Sequence, residues 1–176
     1  MSRILFLYST VDGHTLKICK RLQQVVEQGG HQVTLADLEN PRGIGLESFD
    51  AVVVGASIRY GKHRPQVADF MRRNRHILER KPNAFFSVNI VARKPNKNTP
   101  ETNPYVRKFL RQIGWRPRVT AVFAGRLDYP SYGYWDRQII RFIMFLTNGP
   151  TDPRSVVEFT DWRQVESVGR QIGEMR

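Results

Sequence analysis

Unbroken apolar runs of strand length constrain this chain more than any other feature. Ile4-Leu5-Phe6-Leu7-Tyr8 and Ala51-Val52-Val53-Val54-Gly55 lack the polar alternation of a half-exposed strand. Strands of that kind are buried on both faces, as in parallel sheets covered by helices on either side. Ala84 to Ile90 and Val119 to Ala124 read the same way, and Gln32 to Ala36 is a shorter strand. Between the strands, apolar residues fall at helical spacing. Ile18, Leu22, Val25 and Val26 mark one helix, which Gly29-Gly30 stops. Val67, Phe70, Met71, Ile77 and Leu78 mark a second from Pro65 to about Leu78. Val106, Phe109, Leu110 and Ile113 mark a third over Tyr105 to Ile113. Asp161 caps a closing helix with Trp162, Val165, Val168, Ile172 and Met175 inward. The link from Asn40 to Ser48 is irregular. Five strands alternating with helices predict one doubly wound α/β domain over residues 1–176. Right-handed crossovers put the loops after the strands on one edge, where such folds bind ligands.

Three of those loops carry candidate binding residues. The first is Ser9, Thr10, Val11, Asp12, Gly13, His14 and Thr15, with helix from Leu16 onward. Strand, small polar loop and helix together present backbone N–H groups and a positive helix end to a phosphate. The loop lacks the Lys-Ser/Thr pair of a nucleoside triphosphate loop and fails the Gly-x-Gly-x-x-Gly spacing. It resembles the flavodoxin phosphate loop, Thr/Ser-x-Thr-Gly-x-Thr, with Asp12 in place of a threonine. That likeness implies FMN and the parallel strand order 2-1-3-4-5. It also implies that the Asp12 carboxylate turns away from the phosphate and that its N–H contributes. The second loop is Ser57, Ile58, Arg59, Tyr60 and Gly61, with Tyr60 expected against a flavin face and Gly61 at the ring edge. The third is Val88, Asn89, Ile90, Val91, Ala92 and Arg93. Asn89 and the backbone there would bond the ring's polar edge. Arg93, and Arg59 likewise, would stabilise an anionic reduced flavin or hold a substrate carboxylate.

The rest of the sequence narrows the chemistry. Lys and Arg number 28 against 16 acids, a net charge of +12, which suits an anionic partner. The basic residues are spread along the chain without a recognised nucleic-acid module, so no nucleic-acid partner is expected. Cys19 is the sole cysteine and sits at an apolar helix position, so a buried small hydrophobe is expected. No metal-ligand spacing links His14, His31, His63 and His76, and no nucleophile, base and orienter set is visible. His63 lies beside the proposed site, as a proton shuttle or a plain surface histidine. A missing dyad is consistent with a flavin that supplies the chemistry. The chain opens directly on a strand and holds no run of the ~20 apolar residues that span a bilayer, so a cytoplasmic protein is expected.

One segment has no place in a minimal five-strand fold. Residues about 126–153 carry Tyr129, Tyr132, Tyr134 and Trp135, then Ile139-Ile140-Arg141-Phe142-Ile143-Met144-Phe145-Leu146. This insertion fits a bilayer interface with aromatic and arginine anchors, and equally a lid, a dimer contact or a core helix. Val156 to Phe159 reads as the remainder of an interrupted fifth strand.

Gly55 to Gly61, Ser87 to Pro95, Phe159-Thr160-Asp161-Trp162 and the Tyr/Trp-rich insertion resemble the bacterial flavodoxin-like protoporphyrinogen oxidases, the quinone-dependent protoporphyrinogen IX dehydrogenases. The likeness covers nearly the whole chain. It implies an FMN enzyme of haem biosynthesis that oxidises protoporphyrinogen IX to protoporphyrin IX and passes electrons to menaquinone or ubiquinone. It further implies a peripheral place on the cytoplasmic side of the inner membrane, reached through the insertion, with a homo-oligomer left open. A soluble NAD(P)H:quinone reductase and a non-catalytic flavodoxin are the alternatives on the same fold.

Overall fold

The computed structural model describes residues 1–40 and 43–175. Pro41 and Arg42, inside the expected irregular link, lie outside the described residues, as does Arg176. Five parallel strands form the central sheet: β1 (Arg3–Ser9), β2 (Gln32–Asp37), β3 (Ala51–Arg59), β5 (Asn83–Val88) and β6 (Val119–Phe123). Their order is β2-β1-β3-β5-β6, the doubly wound order expected. A two-residue strand, β4 (Lys62–His63), adds an antiparallel partner to the end of β3.

Alternate residues of the strands build two apolar layers. Leu5, Leu7, Val52, Val54 and Phe85 face one side. There they meet α2 (Pro65–Arg73), α3 (Arg75–Leu78) and α4 (Pro104–Ile113) through Val67, Met71, Leu78, Val106 and Phe109. Ile4, Phe6, Val53, Phe86 and Phe123 face the other. They meet α1 (His14–Gln28) and α6 (Trp162–Gly173) through Ile18, Leu22, Val165 and Val168. Cys19 is buried in this second layer, and burial pushes its thiol up, as befits a small hydrophobe. Gly55 is required by packing. A Cβ there would lie 2.1 Å from Cζ of Phe86.

Three expectations need correction. β3 continues to Arg59, so Ser57, Ile58 and Arg59 are strand rather than loop. Tyr60 and Gly61 then form a tight turn into β4, with φ of +50° and +76°. Positive φ at both central residues matches the twist of the flanking strands, which is why a hairpin forms here. The helix expected from Pro65 to Leu78 is two, α2 and α3, broken at Asn74. Its side-chain amide donates to the Phe70 carbonyl at 2.8 Å, offering the backbone an alternative to continued helix. Val156–Glu158 is not the rest of the fifth strand. It is β8, which pairs antiparallel with β7 (Arg126–Asp128) in a separate two-stranded sheet.

The insertion continues from β7 into α5 (Tyr134–Leu146). It has a small core of its own, in which Leu127, Tyr129 and Met144 are buried against Ile90, Ile140 and Phe159. Tyr129 donates its hydroxyl to the Pro150 carbonyl at 2.6 Å. Met144 is the one buried residue of α5. Trp135, Phe142, Phe145 and Leu146 are 62–76 % exposed, so the helix leaves an apolar face without a partner.

Candidate functional site

The three loops meet. A cavity of about 380 Å3 lies at the C-terminal ends of β1, β3 and β5. Val11, Asp12, His14 and Thr15 line it from the first loop. Ser57, Ile58, Arg59, Tyr60 and Gly61 line it from the β3–β4 hairpin, and Val88, Asn89, Ile90 and Val91 from the loop after β5. The insertion closes it with Tyr132, Asp136, Ile140, Ile143 and Met144. The apolar part of the insertion wall is Ile140, Ile143 and Met144 of α5, while Arg126, Asp128, Ser131 and Tyr132 make the rest of it polar.

The first loop is built to receive an acceptor. Gly13 takes φ +83°, and its N–H donates to Thr10 Oγ1 at 3.0 Å, which folds the loop back on itself. The first turn of α1 leaves N–H groups without intrahelical acceptors. Beside them, Ser9 Oγ and Thr15 Oγ1 are buried with no hydrogen-bond partner, and so is Ser57 Oγ at the adjoining end of β3. A buried unpaired hydroxyl costs about 1–3 kcal/mol, so three at one edge mark a place for a ligand rich in acceptors. Asp12 departs from the expectation. Its carboxylate does not turn away; Oδ1 accepts the N–H of His14 at 3.1 Å and occupies part of the helix end.

Several side chains expected at a ligand are committed elsewhere. Nε2 of His14 donates to Thr160 Oγ1 at 2.7 Å, because that hydroxyl already donates to the Ala124 carbonyl. Burial lowers the pKa of His14 and favours the neutral ring, which ties the first loop to the return from the insertion. Asn89 is also spent. Its amide donates to Ser87 Oγ at 3.2 Å, while its Oδ1 accepts from Ala92 N–H and from Asn103, both at 3.1 Å. Asn89 therefore shapes the loop instead of bonding a ring edge. Ala92 is buried behind the cavity wall. Arg93 donates to the Ile90 carbonyl at 3.1 Å, and to the Thr147 carbonyl and hydroxyl at 3.0 and 2.9 Å. It clamps the C-terminal end of α5 and does not line the cavity.

His63 is neither shuttle nor surface histidine. It is buried between Phe85 and Phe109, with Nε2 2.9 Å from Ser87 Oγ, and burial lowers its pKa to about 4. Arg59, at the end of β3, lines the cavity. Its guanidinium lies over the Tyr60 ring at 5.4 Å, and both side chains bond the Asp136 carboxylate.

The chain matches the flavodoxin domain model over residues 5–154. It is 43 % identical over 173 residues to the protoporphyrinogen IX dehydrogenase [quinone] of Escherichia coli K12, covering 98 % of this chain and 96 % of that protein. The chain belongs to this flavodoxin-domain dehydrogenase family. The dehydrogenase of the same name from Leishmania major is 41 % identical over 164 residues, covering 93 % of this chain and 71 % of that protein. Flavodoxin 1 from Bacillus cereus aligns with a TM-score of 0.54 at 14 % identity over 97 % of both chains, which supports the fold alone. As a family member the chain is a flavin-type oxidoreductase. In this dehydrogenase the flavodoxin scaffold is extended by β7, α5 and β8, and residues missed from sequence cluster there. Arg126, Asp128, Tyr132, Asp136 and Met144 all line the cavity, as does Tyr105 of α4. The one available signal was Asp136, an acid at the start of an otherwise apolar and basic helix.

Proposed function

We propose that this chain oxidises protoporphyrinogen IX to protoporphyrin IX, a haem-biosynthetic step, with FMN as redox group and a membrane quinone, menaquinone or ubiquinone, as acceptor. The observation that carries the reading is the two-sided cavity, with unpaired hydroxyls and a helix end on one side and the apolar wall of α5 on the other. Ser9, Thr15 and the N–H groups opening α1 would hold the phosphate. Ser57, Ile58 and Tyr60, with the backbone from Val88 to Val91, would flank the ring. Bound FMN supplies hydride acceptance and electron transfer that no side chain of this site supplies. Arg59 provides a fixed positive charge beside that ring and beside substrate propionates. Ile140, Ile143 and Met144 exclude water over an apolar macrocycle.

Membrane association belongs to the same reading. Among the described residues no helix is long and apolar enough to cross a membrane. The exposed face of α5, with Trp135, Ile139, Phe142 and Leu146 along one side, matches a helix lying in an interface. The surplus of basic residues suits an anionic leaflet. The protein would sit peripherally on the cytoplasmic face of the inner membrane, where a quinone's tail stays in lipid. Incubating the FMN-loaded protein with protoporphyrinogen IX and a menaquinone tests the reading. Porphyrin fluorescence should appear with three quinols formed per porphyrin. Rapid turnover with NAD(P)H as donor and none with porphyrinogen would assign the chain to the quinone reductases instead.

A further inference from the structure

The two ends of α5 are held in different ways. At the C-terminal end, Met144 is buried with Tyr129 and Leu127, and Arg93 grips the Thr147 carbonyl and hydroxyl. At the N-terminal end, among the described residues, the ties apart from Asp136 are to the insertion itself: Ile140 is partly buried against that same core, and Arg137 bonds the Tyr129 and Tyr132 carbonyls. Tyr134 and Trp135 are exposed, and no residue of the first two turns is buried. Among the described residues, Arg137 and Arg141 bond carbonyls or side chains of the insertion itself, Tyr129, Tyr132, Gln138 and Thr151. Among the described residues, hydrogen bonds from these two turns to the loops of the parallel sheet run through Asp136 alone. Oδ2 accepts from the Arg59 guanidinium and Oδ1 from the Tyr60 hydroxyl.

That carboxylate bridges two walls of one cavity. Arg59 and Tyr60 belong to the hairpin, Asp136 to the insertion, and all three line the space between. About 380 Å3 is near the lower end of ligand-site volumes, roughly 300–1,000 Å3. The cavity is part-open to solvent, and the hairpin and α5 bound it together, so a bulky ligand that enters between them meets the bridge at Asp136. The fastening at Asp136 is half-exposed, of the kind that is weak and quickly broken, whereas the Met144 end is packed.

We infer that Asp136 is a positioning residue that latches the hairpin tip to α5 across the cavity mouth, and that its release swings the N-terminal end of α5 outward about the Met144 and Arg93 end. The latch rests on the proposed FMN site only for what it gates; the movement itself is a property of the chain. It lets one wall admit a bulky substrate and then restore Arg59 and Tyr60 to fixed places. Local opening of this kind is expected where few apolar contacts hold an element.

Four variants of the full chain test it: Asp136→Ala, Asp136→Glu, Arg59→Ala with Asp136→Ala, and Asp152→Asn as a charge control on an exposed acid that pairs with Arg154. Amide hydrogen exchange is read with and without FMN. In Asp136→Ala, residues 134–140 and 57–63 should exchange about fivefold faster while 142–146 change little, the population shift expected from losing one half-exposed ion pair and its phenol bond. FMN release should accelerate by a similar factor. KM for the porphyrinogen should move more than kcat. Asp136→Glu should recover most of the protection, the double variant should exchange no faster than Asp136→Ala, and Asp152→Asn should match the unaltered protein. Unchanged exchange over residues 134–140 in Asp136→Ala, or equal acceleration along all of α5, would overturn the latch. A chain that binds no FMN overturns the proposed function alone, since the exchange measurement still decides the latch.

Discussion

Acid should destabilise this protein through one buried histidine. His63 sits between Phe85 and Phe109 with a single polar partner, Ser87 Oγ. Burial lowers its pKa from the ordinary 6.5 to about 4. Above pH 6.5 the ring is neutral in both the folded and the unfolded chain, so it adds no pH dependence. Between pH 6.5 and 4 the unfolded chain takes up a proton that the native state refuses. Stability therefore falls as pH drops through this window, by about 3 kcal/mol in all. His63→Gln keeps a group able to bond Ser87 but cannot titrate. Urea unfolding of both proteins at pH 7.5, 6.5, 5.5 and 4.5 isolates the effect, because every other titrating group, His14 included, is common to the pair. The variant should be less stable at pH 7.5, having lost ring packing on two phenylalanines. The gap should close steadily toward pH 4.5. Parallel curves would refute the reasoning and show that the ring titrates alike in the folded and the unfolded chain.

Three further outcomes follow from particular contacts. Gly55→Ala should destabilise the fold by about 1–3 kcal/mol in denaturant unfolding, since the added methyl meets the buried Phe86 ring; a neutral effect would mean that β5 shifts freely. Thr15→Val should weaken FMN binding about tenfold in a fluorescence titration without lowering the stability of the flavin-free chain, because the hydroxyl it removes is unpaired there and the buried methyl is kept. Trp135→Ser with Phe142→Ser should cut partition into anionic vesicles more than tenfold, the loss expected from two exposed aromatic side chains. Binding that survives this change would move the membrane contact off α5.

The sheet was legible because its strands leave no choice. Ile4 to Tyr8 and Ala51 to Gly55 are apolar at consecutive positions, and only burial on both faces accommodates that. The meeting of the three loops followed from topology. What the chain pattern concealed was who answers whom across long separations. Asn89 looked free for a ring edge, yet Asn103 and Ala92 claim its amide oxygen from farther along the chain. Arg93 looked free for a substrate, but Thr147 lies 54 residues away in sequence and takes its guanidinium. His63 looked superficial because a two-residue strand gives no periodicity to read. Its burial depends on a hairpin turn at Tyr60-Gly61 and on Phe109 packing from another helix. The insertion showed its apolarity but not its topology. Pairing β7 with β8 is a contact between segments about 30 residues apart, which no local signal encodes.

If this cavity is a flavin site that takes electrons from a porphyrinogen and gives them to a quinone, the flavin itself reports both transfers. Anaerobic mixing of the FMN-loaded protein with protoporphyrinogen IX, followed at the flavin absorbance, tests it most directly. The flavin should bleach with porphyrinogen alone, and its oxidised absorbance should return when a quinone is added. A flavin that stays oxidised in the presence of porphyrinogen would show that this cavity does not carry out the proposed oxidation.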